Sequence, residues 1–182
     1  MIGARWGYLA VVQALLGAGA TVHAVNKNGW TPLPLAAVMG REAVVRALVA
    51  AGAVMNAPDK NGQTPLHHAL LNGHTAVVHA LLGTGVEVNA KDKHGMTPLH
   101  GAVLLGHMAV VQALVGAGAD VNVRSNIGWT PLRYAESQGI GALVAGGEGR
   151  PLSLSTHLHK FSTLTEPVTA CMRRSRICTV TL

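Results

Sequence analysis

Four segments built on Thr-Pro-Leu recur at a constant step of 33 residues: Trp30-Thr31-Pro32-Leu33, Gln63-Thr64-Pro65-Leu66-His67, Met96-Thr97-Pro98-Leu99-His100 and Trp129-Thr130-Pro131-Leu132. A fixed period constrains the fold more than any single motif. A unit this short cannot bury its own apolar face and must stack against copies of itself. Other columns keep the same step, among them Gly7, Gly40, Gly73, Gly106 and Gly139, and Val12, Val45, Val78, Val111 and Val144. Residues 10–20 and 109–119 are identical except for Leu16 against Val115.

One physical scheme reads each unit. Lys60-Asn61-Gly62 is a turn signal in which glycine supplies positive φ. Thr64 is the expected N-cap, and Pro65 at the first helical position gives up an amide the helix would not use. Leu66, Ala69 and Leu70 recur at helical spacing and are expected to face inward. Gly73 ends this helix. A second helix carries Val77, Val78, Leu81 and Leu82, and Gly85 closes it in the left-handed conformation.

With this punctuation, residues 27–59, 60–92 and 93–125 read as full units and 1–26 as a truncated N-terminal one. The leading helix of 1–26 is expected to fray, as in a fragment or alternative start. Residues 126–148 read as a partial C-terminal unit whose pattern decays after Gly139. Residues 149–182 change to Ser, Thr, Pro and Arg without helical period and are expected to be a disordered basic tail.

These motifs, Gly-x-Thr-Pro-Leu-His, a central Gly-His, Val-Val-x-x-Leu-Leu and Gly-Ala-x-Val-Asn, resemble the ankyrin-repeat family over residues 5–148. The resemblance implies an all-helical solenoid of helix-turn-helix units with β-hairpin tips. It also implies non-catalytic binding of another protein on the concave face and tips. The alternative is a substrate-recognition fragment of a larger enzyme or ubiquitin-ligase adaptor. In the family, tip and outward-concave first-helix positions carry recognition. Mapped by the period, they give Trp30, Val38, Met39, His68, Leu71, Asn72, Met96, Leu104, Leu105, Trp129 and Tyr134 as candidate partner-binding residues. An apolar stripe with Trp and Met is a candidate contact surface, while the same side chains could instead cover neighbouring units.

His67 and His100 fill the family's Thr-Pro-Leu-His position, where a structural hydrogen bond beside the tip is expected; Pro34 and Arg133 replace it elsewhere. The resemblance further implies asparaginyl hydroxylation at Asn89 and Asn122, each preceded by a suitably spaced leucine and Glu-Val or Asp-Val.

Composition bounds the rest. Of the 182 residues 49% are hydrophobic but only 3% aromatic, so the core must be built from Ala, Val and Leu. The net charge of +6 is unevenly spread. Residues 1–148 hold 9 Lys and Arg against 7 Asp and Glu, while the tail holds 5 against 1. The basic balance is thus mostly the tail's, which argues against nucleic-acid binding by the repeats. Both cysteines, Cys171 and Cys178, lie in the tail without metal-ligand spacing. A reducing compartment is expected, cytoplasm first and nucleus second. Arg5, the apolar run 6–16 and Ala18-Gly19-Ala20 imitate a signal peptide, but the near-identity of 10–20 with 109–119 accounts for them as repeat. No apolar window is long enough to span a bilayer.

Corresponding histidines His74 and His107 lie roughly a helix-packing distance of 8–10 Å apart, too far to share a zinc ion. No phosphate-cradling loop, nucleophile elbow or paired carboxylate is present. No metal, cofactor or enzyme activity is expected, and the module is expected to be monomeric. In the tail, Arg173-Arg174-Ser175-Arg176 could serve nuclear import or phosphate binding. Ser153-Leu154 is similar to the opening of a ligase-recruiting SOCS box, but Leu158 stands where that motif has cysteine.

Overall fold

A computed structural model of the chain describes residues 1–27 and 29–137. The expectations for the decay after Gly139, both cysteines, the arginine cluster and the whole tail lie outside those residues.

Among the described residues nine helices follow in order: α1 (Ile2–Trp6), α2 (Leu9–Gly17), α3 (Pro32–Val38), α4 (Glu42–Ala50), α5 (Pro65–Leu71), α6 (Thr75–Leu82), α7 (Pro98–Leu104), α8 (Met108–Gly116) and α9 (Pro131–Ser137). The first helices α3, α5, α7 and α9 all start on the proline of Thr-Pro-Leu. Thr31, Thr64 and Thr97 precede α3, α5 and α7 in extended conformation as N-caps. Each of α1 to α8 stops within three residues of a glycine in the left-handed conformation. After α5, Gly73 (φ 71) lets His74 N–H reach the Ala69 carbonyl and Gly73 N–H reach that of Leu70, both at 2.9 Å. This six-to-one and five-to-two pattern satisfies carbonyls the helix end leaves open. Gly40, Gly73 and Gly106 share φ between 66 and 71, so the three units turn alike.

Packing runs between neighbours in two rows. The first helices stack as α1, α3, α5, α7 and α9, the second helices as α2, α4, α6 and α8, and the two helices of each unit pack on one another. The spine between rows is built from repeated side chains. Leu33, Leu66 and Leu99 are at most 1% exposed, as are Val44, Val45, Val77 and Val78. Each such leucine stabilises the array by about 2 kcal/mol through burial. Small Ala36, Ala69, Ala102 and Ala135 are fully buried and let the first helices approach closely.

The leading unit differs. The expected fraying is absent from the structure, where α1 and α2 are both helical, but α2 buries only Val12. Val11 is 50% and Leu15 52% exposed, whereas their counterparts Val44 and Leu48 are covered by the unit before them.

The tips are turns: among the described residues no β-strand is present. Two backbone bonds close each tip, as where Asp59 N–H donates to the Gln63 carbonyl and Gly62 N–H to the Asp59 carbonyl, both at 2.9 Å. Neighbouring tips are nevertheless tied backbone to backbone, Lys93 N–H to the Asn61 carbonyl and Asn126 N–H to that of His94.

Candidate interaction surface

The tips are held by a column that escaped the sequence reading. Asp59 Oδ1 accepts the amides of Asn61 (2.7 Å) and Gln63 (2.9 Å), and Asp92 Oδ1 those of His94 (2.8 Å) and Met96 (2.9 Å). Asn26 Oδ1 takes the Trp30 amide, and Ser125 Oγ that of Trp129. Asn26, Asp59, Asp92 and Ser125 stand 33 residues apart. A short polar side chain ahead of Gly is the usual maker of such local turns, so the signal was available.

The histidines of Thr-Pro-Leu-His bolt each tip to the next. His67 Nδ1 accepts the Thr64 amide (3.2 Å), while its Nε2 donates to the Met96 carbonyl of the following tip at 3.3 Å. His100 repeats this with Thr97 and the Trp129 carbonyl at 3.1 Å. The bonds require the neutral ring protonated at Nε2. Burial pushes both histidines below their ordinary pKa, outweighing the carbonyls that favour the charged form. The expected departures follow. Pro34 leaves α3 without a side-chain cap bond. Arg133 lays its guanidinium 5.1 Å over the Trp129 ring instead. Second-helix histidines have a lesser role: His74 Nε2 donates to the Val38 carbonyl of the preceding unit at 2.8 Å.

The candidate recognition residues divide into two groups. His68 and Val38, read as outward-facing, are buried, at 1% and 7% exposure. That corrects their assignment to the contact surface. His68 lies under Trp30 (ring centroids 4.7 Å apart), with Nε2 3.3 Å from Asp59 Oδ2. This is ion-pair range but off the axis of a hydrogen bond, and neither ring nitrogen has a hydrogen-bond partner. Burial would push the Asp59 carboxyl up, but the His68 ring and the amides of Gln63 and Asn61 outweigh it and hold the carboxyl below its ordinary value.

Met39, Leu71, Asn72, Leu104 and Leu105 are half-buried along the first-helix face. Leu105 also packs against the core, and Asn72 Nδ2 donates to the His68 carbonyl at 2.8 Å. Trp30, Met96 and Trp129 are half-buried at the first, third and fourth tips, with Gln63 at the second. Tyr134 meets the edges of both Trp129 and His100, with centroids 5.1 and 5.6 Å away. These rings thus cover neighbouring units while keeping one side in solvent.

The two hydroxylation candidates are unalike. Asn89 is engaged by the next unit, its Oδ1 accepting the Asp120 amide at 2.8 Å and its Nδ2 facing the Gly118 carbonyl. Asn122 is exposed, and only its backbone amide is bonded, to Asp120 Oδ1.

Among the described residues no three His, Cys, Asp or Glu side chains converge as metal ligands, and no helix is long and apolar enough to cross a membrane. No curated protein matches the chain. Two family models do match: ankyrin repeats in three copies over residues 1–92, and ankyrin repeats in many copies over residues 81–135. With paired helices starting every 33 residues and caps, spine and tips repeated in register, the chain belongs to the ankyrin-repeat family.

Proposed function

We propose that this array is a non-catalytic scaffold that binds another protein along its first-helix face and tips. Ankyrin repeats generally mediate protein–protein interaction. The observation that carries the reading here is the half-buried apolar side chains Met39, Leu71, Leu104 and Leu105 at the ends of three successive first helices, with Trp30, Met96 and Trp129 at the tips. Such side chains offer apolar area already ordered by the array, so binding loses little conformational entropy. Aromatic anchors in partly desolvated settings are where binding energy concentrates. The module works as a monomer, in the cytoplasm or nucleus.

The test is quantitative affinity capture with the full chain and a Leu71→Ser plus Leu104→Ser variant, circular dichroism confirming that helix content is kept. Loss of the captured partner is expected. Undiminished recovery by the folded variant would exclude this face as the contact surface.

A further inference from the structure

The tips carry a charge pattern that the apolar reading of the surface does not use. Lys27, Lys60 and Lys93 occupy one register position in successive tips, and Lys91 and Arg124 occupy another; all five are exposed. None of them is ion-paired among the described residues: Lys93 Nζ bonds Asn61 Oδ1, Lys91 Nζ the Arg124 carbonyl, and Arg124 the Gly128 carbonyl. The acids of the same tips are turned inward. Asp59, with its side chain 7% exposed, faces His68 and two amides, and Asp92 holds the amides of His94 and Met96. Cations therefore point outward where anions are consumed by the turn. The exposed acids Glu87 and Asp120 stand four residues ahead of Lys91 and Arg124 in the chain, and neither is ion-paired with them.

Resting on the reading that the array binds protein, we propose that the tips form a cationic rail for an extended acidic segment of the partner. Geometry narrows the class further. Stacked units repeat at roughly 8–10 Å, and a polyproline-type segment advances about 9 Å in three residues, bringing every third side chain to one face. Acidic residues at every third position in an extended segment thus meet successive tips in step. Nucleic acid fits less well, because single-strand binders pair cations with aromatic platforms. The aromatic rings at these tips, Trp30 and Trp129, stand three steps apart with Gln63 and Met96 between them, so no stacking platform accompanies the row of cations.

The test is fluorescence anisotropy with the full chain and three labelled probes. These are a peptide of repeated Glu-Pro-Pro, a peptide of the same composition with its glutamates in one block, and a single-stranded oligonucleotide. Tight spacing of like charges makes low ionic strength the sensitive condition, since the screening length is about 10 Å at 0.1 M. The periodic peptide is expected to bind several-fold more tightly than the block peptide. Affinity should fall at least tenfold in a Lys60→Glu plus Lys93→Glu variant. Unchanged binding by that variant would assign the interaction to other cations and overturn the rail, as would equal affinity for the two peptides or preference for the oligonucleotide. The Leu71→Ser plus Leu104→Ser variant separates this claim from the preceding one: it should lose partner capture yet keep peptide binding. Normal capture with no peptide discrimination would remove the rail alone.

Discussion

Replacing a turn glycine by alanine separates backbone strain from contact between units, because three equivalent glycines share φ but not surroundings. A Cβ built on Gly106 (φ 69) meets nothing within 4 Å, so Gly106→Ala exposes the strain of a left-handed residue alone. That costs about 1–2 kcal/mol. A Cβ on Gly40 (φ 66) would stand 2.6 Å from Nδ1 and 2.8 Å from Cε1 of the His74 ring. That ring is fixed by its bond to the Val38 carbonyl at 2.8 Å and cannot swing away without losing it. Overpacking adds about 1–3 kcal/mol and the lost bond about 1 kcal/mol. Gly40→Ala should therefore cost about 3–6 kcal/mol. Urea unfolding followed by far-ultraviolet circular dichroism measures both. In a His74→Ala background the gap between the two substitutions should close, since the obstacle is gone. Equal costs in the native background, or a gap that survives removal of His74, would refute the reasoning.

Other outcomes follow from the tip network. Because His67 and His100 are held below their ordinary pKa, the unfolded chain takes up protons first on acidification. Stability should be level above about pH 6.5 and fall as pH drops from there through the folded-state values, with a second loss below about pH 4 as Asp59, also held low, is protonated. A urea midpoint that rises between pH 7 and 5 would contradict this. His100→Ala leaves the buried Thr97 amide without a partner and the Trp129 carbonyl with the Ser125 N–H alone, and should cost about 1–3 kcal/mol in the same assay; a cost under about 0.5 kcal/mol, the range of surface substitutions, would mean that the bolt is idle. If an asparaginyl hydroxylase acts on this chain, mass spectrometry of cell-derived protein should find oxygen added at Asn122 in preference to Asn89, whose side chain the next unit holds. Modification of Asn89 with Asn122 untouched would reverse that ranking.

The sequence made the array legible because its determinants are local and repeated. Thr64-Pro65 starts a helix wherever it occurs, and Gly73 stops one by backbone conformation alone. The bond from His67 to the following tip was readable through resemblance. Side chains whose cover comes from a neighbour were not. His68 shares its register with Leu35, Gly101 and Tyr134, and it is buried because Trp30, from the preceding tip, closes over it. Val38 likewise passes from surface to interior through packing between units. The Asn26, Asp59, Asp92 and Ser125 column changes residue type along its length, so a search for identical residues passes over it, although each member supplies an oxygen to the same amide position.

Packing only between adjacent units gives the chain an unusual tolerance to change in length. Removing or duplicating 33 consecutive residues within the interior of the array returns the repeated leucines, valines and alanines of the spine to neighbours of the kind they already had. Loss of one residue inside a helix instead rotates everything after it by about 100° within that helix, turning buried leucines outward. Insertions and deletions are therefore quantised: whole steps are silent in the core, and fractions of a step are lethal to it.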